Sequence, residues 1–481
     1  MGFLGSVLPG GQAPLMARLS NSAAGLSFIS AAVAALMYAV AGNALTVTAF
    51  SFALPRDVGA LALSVYINAV TVIMLTLVSF IGFVVARYAR NYLQGDKYQG
   101  RFYTWLNLTL ASILTLIISG NMLMFVLAWI ATSVCLHQLL MFYPERAGAV
   151  LAARKKFIAS RVGEVSLLIA VLLIGFTLQF PLQGWLIQVM EAPTPVSALL
   201  HAGIVNGGAF LIIRMSPILS QAITASDVLA IIGLVTIAAA GLVMPTQTSI
   251  KVFLAWTTTA QMGFMLLECG LGVYSLAMLH LVAHSLYKAH AFLSSGSGVD
   301  VVRAPAVRLV QPIASFLQWG VVLAIAGLVM LGIGAAFGLD PERQPALLAL
   351  GVIVAAAMTQ LLLHSFKAGV GAAFIARAAA LSVLVITAYF SLHAVFHFML
   401  ATSFPAVRLL NNSPAQYPLI GLVMLVFFAL LLIQQSLPVL ARYAVARRAY
   451  VHLHNGLYVD IPFSRLVQRF WPVQAVPSVN R

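Results

Sequence analysis

Residues 316–337 read FLQWGVVLAIAGLVMLGIGAAF, without one charged side chain. A helix of about 20 apolar residues crosses the hydrocarbon core of a bilayer. Runs of this kind recur along nearly the whole chain. In lipid every backbone N–H and C=O must be satisfied within the protein, which leaves helices and closed barrels as spanning structures. Continuous apolar runs, rather than period-two alternation, favour helices. Composition agrees: 62% of the 481 residues are hydrophobic and 8% charged, whereas ordinary soluble domains are about 25% charged. The expected fold is therefore all-α, a polytopic transmembrane bundle of about 13 helices. The candidates fall near 24–48, 58–86, 103–119, 120–142, 157–178, 194–213, 227–244, 249–269, 272–296, 311–337, 345–364, 370–401 and 416–437. An N-terminal segment (1–23) precedes this domain (24–437), and a basic, amphipathic tail (438–481) follows it.

The net charge of +15 comes mainly from loops and the tail. Such a distribution marks cytoplasmic faces and attraction to anionic lipid, not nucleic-acid binding. The basic loops Arg87–Arg101 and Tyr143–Lys156 are separated by two candidate helices, so they share a side, expected to be cytoplasmic. Residues 176–191, FTLQFPLQGWLIQVME, suit a re-entrant or interfacial segment. The segment 450–471 is too polar to span and suits the membrane interface or a docking surface. The N-terminus lacks a basic region followed by a cleavage site, so no removable signal peptide is expected. Cys135 and Cys269 lie in apolar runs and read as packing residues. No spacing suits a metal, haem or nucleotide, so no cofactor is expected in this chain.

Against this background a few ionisable residues stand out. The stretch 279–292, LHLVAHSLYKAHAF, places His280, His284 and Lys288 four residues apart, on one slowly drifting helical stripe. Buried ionisable groups in a bilayer cost roughly 2.5 kcal/mol upward each and usually line a pathway. The plainer alternative is a set of side chains that only satisfy one another. In 192–214, APTPVSALLHAGIVNGGAFLIIR, His201 sits in an apolar helix with Pro195 in its first turn, and Gly203, Gly207 and Gly208 permit close approach of a neighbour or local unwinding. Lys251 opens the helix SIKVFLAWTTTAQ, where snorkelling to the interface competes with a pathway role. Arg161 and Glu164 are spaced to pair on one helix face. Glu164 either tunes a lysine or forms a structural ion pair, whereas Glu268, at a helix end, reads as interfacial. Histidine titrates near neutral pH, and lysine in a dry site moves toward it, so the set suits a proton relay.

The segments 161–164 (RVGE), 193–202 (PTPVSALLHA), 249–265 (SIKVFLAWTTTAQMGFM) and 280–297 (HLVAHSLYKAHAFLSSGS) resemble the antiporter-like membrane subunits of respiratory complex I and Mrp antiporters. That resemblance implies inverted five-helix repeats, broken helices, and translocation of H+ or Na+ along buried lysines, histidines and acids. The implied pathway is Glu164, His201, Lys251, His280, His284 and Lys288. The flanking segments 129–157, 191–214 and 450–460 (YVHLHNGLYVD) look like the DabB branch, membrane subunits of DAB inorganic-carbon accumulation complexes. This branch implies a cytoplasmic DabA-type partner, related to zinc carbonic anhydrases, that holds the zinc and hydrates CO2. It also implies a multi-pass protein of the bacterial inner membrane with a cytoplasmic tail.

The chain departs from the family pattern in several places. Ile130 stands where a glutamate usually follows the tryptophan, here Trp129. No lysine precedes Leu178–Pro181, and the interval from Glu164 to Pro181 is short by about a helix. A distal Gly-Phe-Ser-Lys pattern is missing, with Lys367 a candidate substitute. Two alternatives therefore stay open: a complex I or Mrp-type antiporter subunit, and a membrane anchor that conducts no ions.

Overall fold

The computed structural model describes residues 13–53, 60–169, 184–188, 192–295, 316–340, 344–367, 372–404, 416–440 and 442–472. It opens with helix α1 (Ala13–Ala41), a hairpin of β1 (Leu45–Ala53) and β2 (Ala60–Ile67), and helices α2 (Ala69–Tyr92), α3 (Gln99–Ile118), α4 (Met122–Leu140) and α5 (Ala147–Ile169). A short α6 (Gly184–Gln188) precedes a broken span: α7 (Thr194–Leu199), a π-helical turn (Leu200–Ile204) and α8 (Gly207–Arg214). After the single turn α9 (Ser216–Leu219) come α10 (Ile223–Val243), α11 (Ile250–Gly270) and α12 (Tyr274–Leu293). The chain continues through α13 (Phe316–Ala336), α14 (Pro345–Lys367), α15 (Ala372–Leu400) and α16 (Gln416–Leu440), then α17 (Ala444–His454) and α18 (Asp460–Phe470). Among the described residues, 11 helical spans are long and apolar enough to cross a membrane. The protein is an all-α polytopic membrane protein.

Local signals fix several boundaries. Asn68 caps α2 through a reciprocal capping box: its side chain accepts from Thr71 N–H at 2.9 Å, and Thr71 Oγ1 accepts from Asn68 N–H at 2.8 Å. Asn121 caps α4, accepting from Met124 N–H at 2.8 Å. The helices expected at 24–48 and 58–86 differ from those observed. The first ends at Ala41 and the second starts at Ala69, because 45–53 and 60–67 form an antiparallel hairpin. LTVTAFSFA and ALALSVYI are rich in β-branched and aromatic residues and partly alternate, which is the pattern of strands. The hairpin is tied down where Asn121 Nδ2 donates to Ser64 Oγ at 2.9 Å and Gly120 N–H donates to Ser64 O at 2.7 Å.

The broken span is the most enclosed of the candidates, with 83% of its apolar 18-residue window buried against 17% for that of α15. It packs between α2 and α12. The proposed re-entrant segment at 176–191 lies outside the described residues except for α6. Residues 178–181 lie outside them too, as do the side chains of Glu164 and Lys367.

The tail folds back on the bundle. Lys155 of α5, fully buried, reaches Asp460 at the start of α18 at 2.6 Å. Arg154 donates to the Trp471 carbonyl at 2.8 Å and sits 4.8 Å from the centre of the Trp471 ring. At the other end, His454 Nδ1 lies 2.8 Å from Thr246 O, and Gln247 Nε2 donates to His454 O at 3.2 Å. Between them, Gly456 takes φ +61° beside Trp256, where a side chain would meet both backbone strain and the indole. The tail therefore marks one membrane face, next to the start of α11 and the first half of α5.

Candidate ion pathway

His201 lies in the π-helical turn, which Val205 N–H closes by donating to Leu200 O at 2.9 Å. Single π turns inside helices often mark functional positions. Here the turn lets His201 face α11 and α12. Its ring is fully buried, stacks on Phe292 with centroids 4.4 Å apart, and places Nδ1 3.1 Å from Thr258 Oγ1. Thr258 donates to Leu254 O at 2.9 Å. That bond uses the only hydroxyl hydrogen, so the Thr258 oxygen accepts from His201 and the imidazole proton sits on Nδ1. His201 Nε2 is then a buried lone pair, with no hydrogen-bond partner among the described residues.

Lys288, fully buried on α12, donates to Leu254 O at 2.9 Å and to Thr257 Oγ1. Leu254 O also accepts from Thr257 and Thr258, so one carbonyl gathers the lysine and both threonines. One turn before Lys288, His284 is buried with both ring nitrogens unpartnered among the described residues. One turn earlier still, the His280 ring centre lies 6.5 Å from that of His284. His280 Nδ1 faces Glu268 Oε2 at 3.0 Å, and Nε2 faces Gln261 Oε1 at 2.6 Å. Both ring nitrogens of His280 are thus held by side chains of α11. His280 and Lys288 are about 12 Å apart along α12.

The structure brings His201, His280, His284 and Lys288 into one line, and adds an acid that the sequence reading placed at the interface. Glu268 is 2% exposed, because the tight turn Leu271–Val273 folds the end of α11 beside His280. Its position near a helix end suggested water; His280, twelve residues on, was the available signal for an inward partner. Lys251 does not join the line. It is half-buried in the first turn of α11, with no hydrogen-bond partner among the described residues. For Glu164 the structure fixes only a place on α5. Ile130, at the expected glutamate position, packs half-buried against the main apolar core. Among the described residues, no three His, Cys, Asp or Glu side chains are grouped to hold a metal ion.

Unpartnered buried nitrogens in such a line call for water. An alternation of imidazole, ammonium, hydroxyl and carboxylate bridged by water can pass protons without any side chain crossing the membrane.

Comparison with known proteins places the chain among antiporter-like membrane subunits. Residues 57–103 match the family model described as NADH-ubiquinone oxidoreductase (complex I), chain 5 N-terminus. Residues 173–332 match that described as NADH:quinone oxidoreductase/Mrp antiporter, TM. In structure, the chain is similar to the Mrp complex from a Dietzia species, with TM-score 0.59 and 20% identity over 98% of this chain and 59% of that one. It is also similar to the archaeal membrane-bound sulfane sulfur reductase, with TM-score 0.52 and 15% identity over 94% of this chain and 96% of that one. At these identities the likeness speaks for the fold alone. In sequence, the chain is 31% identical to NADH-quinone oxidoreductase subunit L of Escherichia coli over 48% of this chain and 44% of that one. It is 46% identical to the probable inorganic carbon transporter subunit DabB of Hydrogenovibrio crunogenus, over 49% of this chain and 53% of that one. It is 41% identical over 462 residues to the probable inorganic carbon transporter subunit DabB2 of Halothiobacillus neapolitanus, covering 87% of this chain and 82% of that one. The enclosed line of ionisable groups thus belongs to an antiporter-like membrane subunit, and the chain is a member of the DabB family.

Proposed function

We propose that this chain is the ion-translocating subunit of an inorganic-carbon accumulation complex in the bacterial inner membrane. Its flux drives CO2 hydration in a zinc-containing, cytoplasmic DabA-type partner. The observation that carries the reading is the buried line from Lys288 through His284 to the His280–Glu268 pair. Intramembrane ionisable groups of this kind mark ion routes. The names of its relatives support the inorganic-carbon role. The ion is a proton: imidazole and amine nitrogens exchange protons, whereas hard cations take oxygen ligands. Hydration of CO2 yields bicarbonate and a proton, so the reaction in the partner can be biased by charge moved through the membrane subunit. This chain itself is not the enzyme, and the zinc belongs to the partner. The Lys155–Asp460 side, where the tail docks, is the cytoplasmic face. Purification of the chain with its native neighbours tests the reading. A co-purifying zinc protein whose CO2 hydration collapses on adding a protonophore is expected. Quinone-reductase or multi-subunit antiporter partners, or hydration indifferent to the protonophore, would contradict it.

A further inference from the structure

In its C-terminal half helix α15 carries three titratable side chains that the line on α12 leaves unused: Tyr389, His393 and His397, each one turn from the next. Leu392, Val395, Phe398 and Met399 on the same stretch are exposed. Tyr389 packs against the cluster of Leu276 and Leu279 of α12 and Leu350 of α14, on which Phe264 of α11 also packs. The Phe264 ring lies 5.2 Å from that of His280. Tyr389 thus shares an apolar cluster with Phe264, the ring that packs on His280 of the Glu268–His280 pair. The Tyr389 hydroxyl is buried, with no hydrogen-bond partner among the described residues. A buried phenol in this position needs a partner, and bridging water supplies one.

The stripe has a direction. The His393 and His397 rings stack with centroids 6.1 Å apart. His393 is half-buried and His397 exposed, in the last turn of α15. That end of α15 lies by the start of α12, where Phe404 packs 5.8 Å from Tyr274. The α11–α12 turn is at the opposite end of α11 from the docked tail. Tyr389, His393 and His397 therefore climb from the Glu268–His280 pair to the membrane face away from the tail.

We infer that Tyr389, His393 and His397 form the outer limb of the proton route, connecting the Glu268–His280 pair to water on the face opposite the tail. The inference rests on the transport reading above. No covalent step is involved: the phenol hands its proton on as it receives another, and the two imidazoles pass it to the surface.

The test is proton flux into vesicles holding the native complex, with Tyr389→Phe, His393→Asn, Glu268→Gln and Lys288→Met compared with wild type. Tyr389→Phe removes one oxygen and keeps the ring that packs. The expected result is flux lowered at least about tenfold in Tyr389→Phe and His393→Asn, with a changed solvent deuterium isotope effect and unaltered assembly. Wild-type flux and isotope effect in both, beside inactive Glu268→Gln and Lys288→Met, would overturn the outer limb and leave the transport reading standing. Wild-type flux in all four variants would overturn both.

Discussion

Thr258 sets which nitrogen of His201 carries the proton, because its own hydrogen is committed to Leu254 O. Thr258→Val keeps the shape and removes the acceptor, leaving a buried donor unpaired at a cost of about 1–3 kcal/mol. Proton flux should fall about tenfold in Thr258→Val, as for a lost relay group, and recover in Thr258→Ser, which keeps the hydroxyl. Equal flux in Thr258→Val and wild type would remove His201 from the route. His201, His284 and Lys288 were legible in the sequence because a charge-bearing side chain inside an apolar run has few other uses. Glu268 was misjudged because sequence alone does not show that Leu271–Val273 turns the carboxylate inward onto His280. For Lys251 the sequence left snorkelling and a pathway role open, and the structure keeps it in the first turn of α11, where a long side chain can reach water.

At the scale of elements, α10 and α11 form the tightest helix pair near the line. A Cβ on Gly263 would fall 2.8 Å from Gly233 O, and one on Gly233 would fall 2.5 Å from Gly263 O. Small residues let membrane helices approach backbone to backbone. Gly263→Leu should separate these helices at a cost of about 1–3 kcal/mol or more and lower the thermal midpoint of the detergent-solubilised protein. An unchanged midpoint would show that the pair tolerates separation. The long helices were legible from uninterrupted apolar runs, the start of the broken span from Pro195, and its break from the glycines after His201. The β1–β2 hairpin was hidden because its residues are as apolar as the helices around it, and the alternation of LTVTAFSFA is incomplete. The π turn leaves no comparable mark, since it depends on one displaced hydrogen bond, Val205 to Leu200.

Across the whole molecule the polar groups divide by membrane face. The tail holds α5 through Lys155–Asp460 and the α10–α11 loop through His454, so one face is strapped by the chain's own C-terminal segment. The sequence marked 450–471 as interfacial or docking, and the structure shows it docked on its own bundle. Deeper in, His280, His284 and Lys288 follow one another along α12, with Glu268 at the end of α11 and His201 in the broken span between α2 and α12. On the proposed function, this buried line makes the chain more than a mooring for a partner. The direct measurement is proton flux, followed by a dye inside vesicles containing the native complex under an imposed gradient. Lys288→Met and His284→Ala should each lower it at least about tenfold while the complex stays assembled. Undiminished flux in both assembled variants would contradict the claim that ions pass along this line.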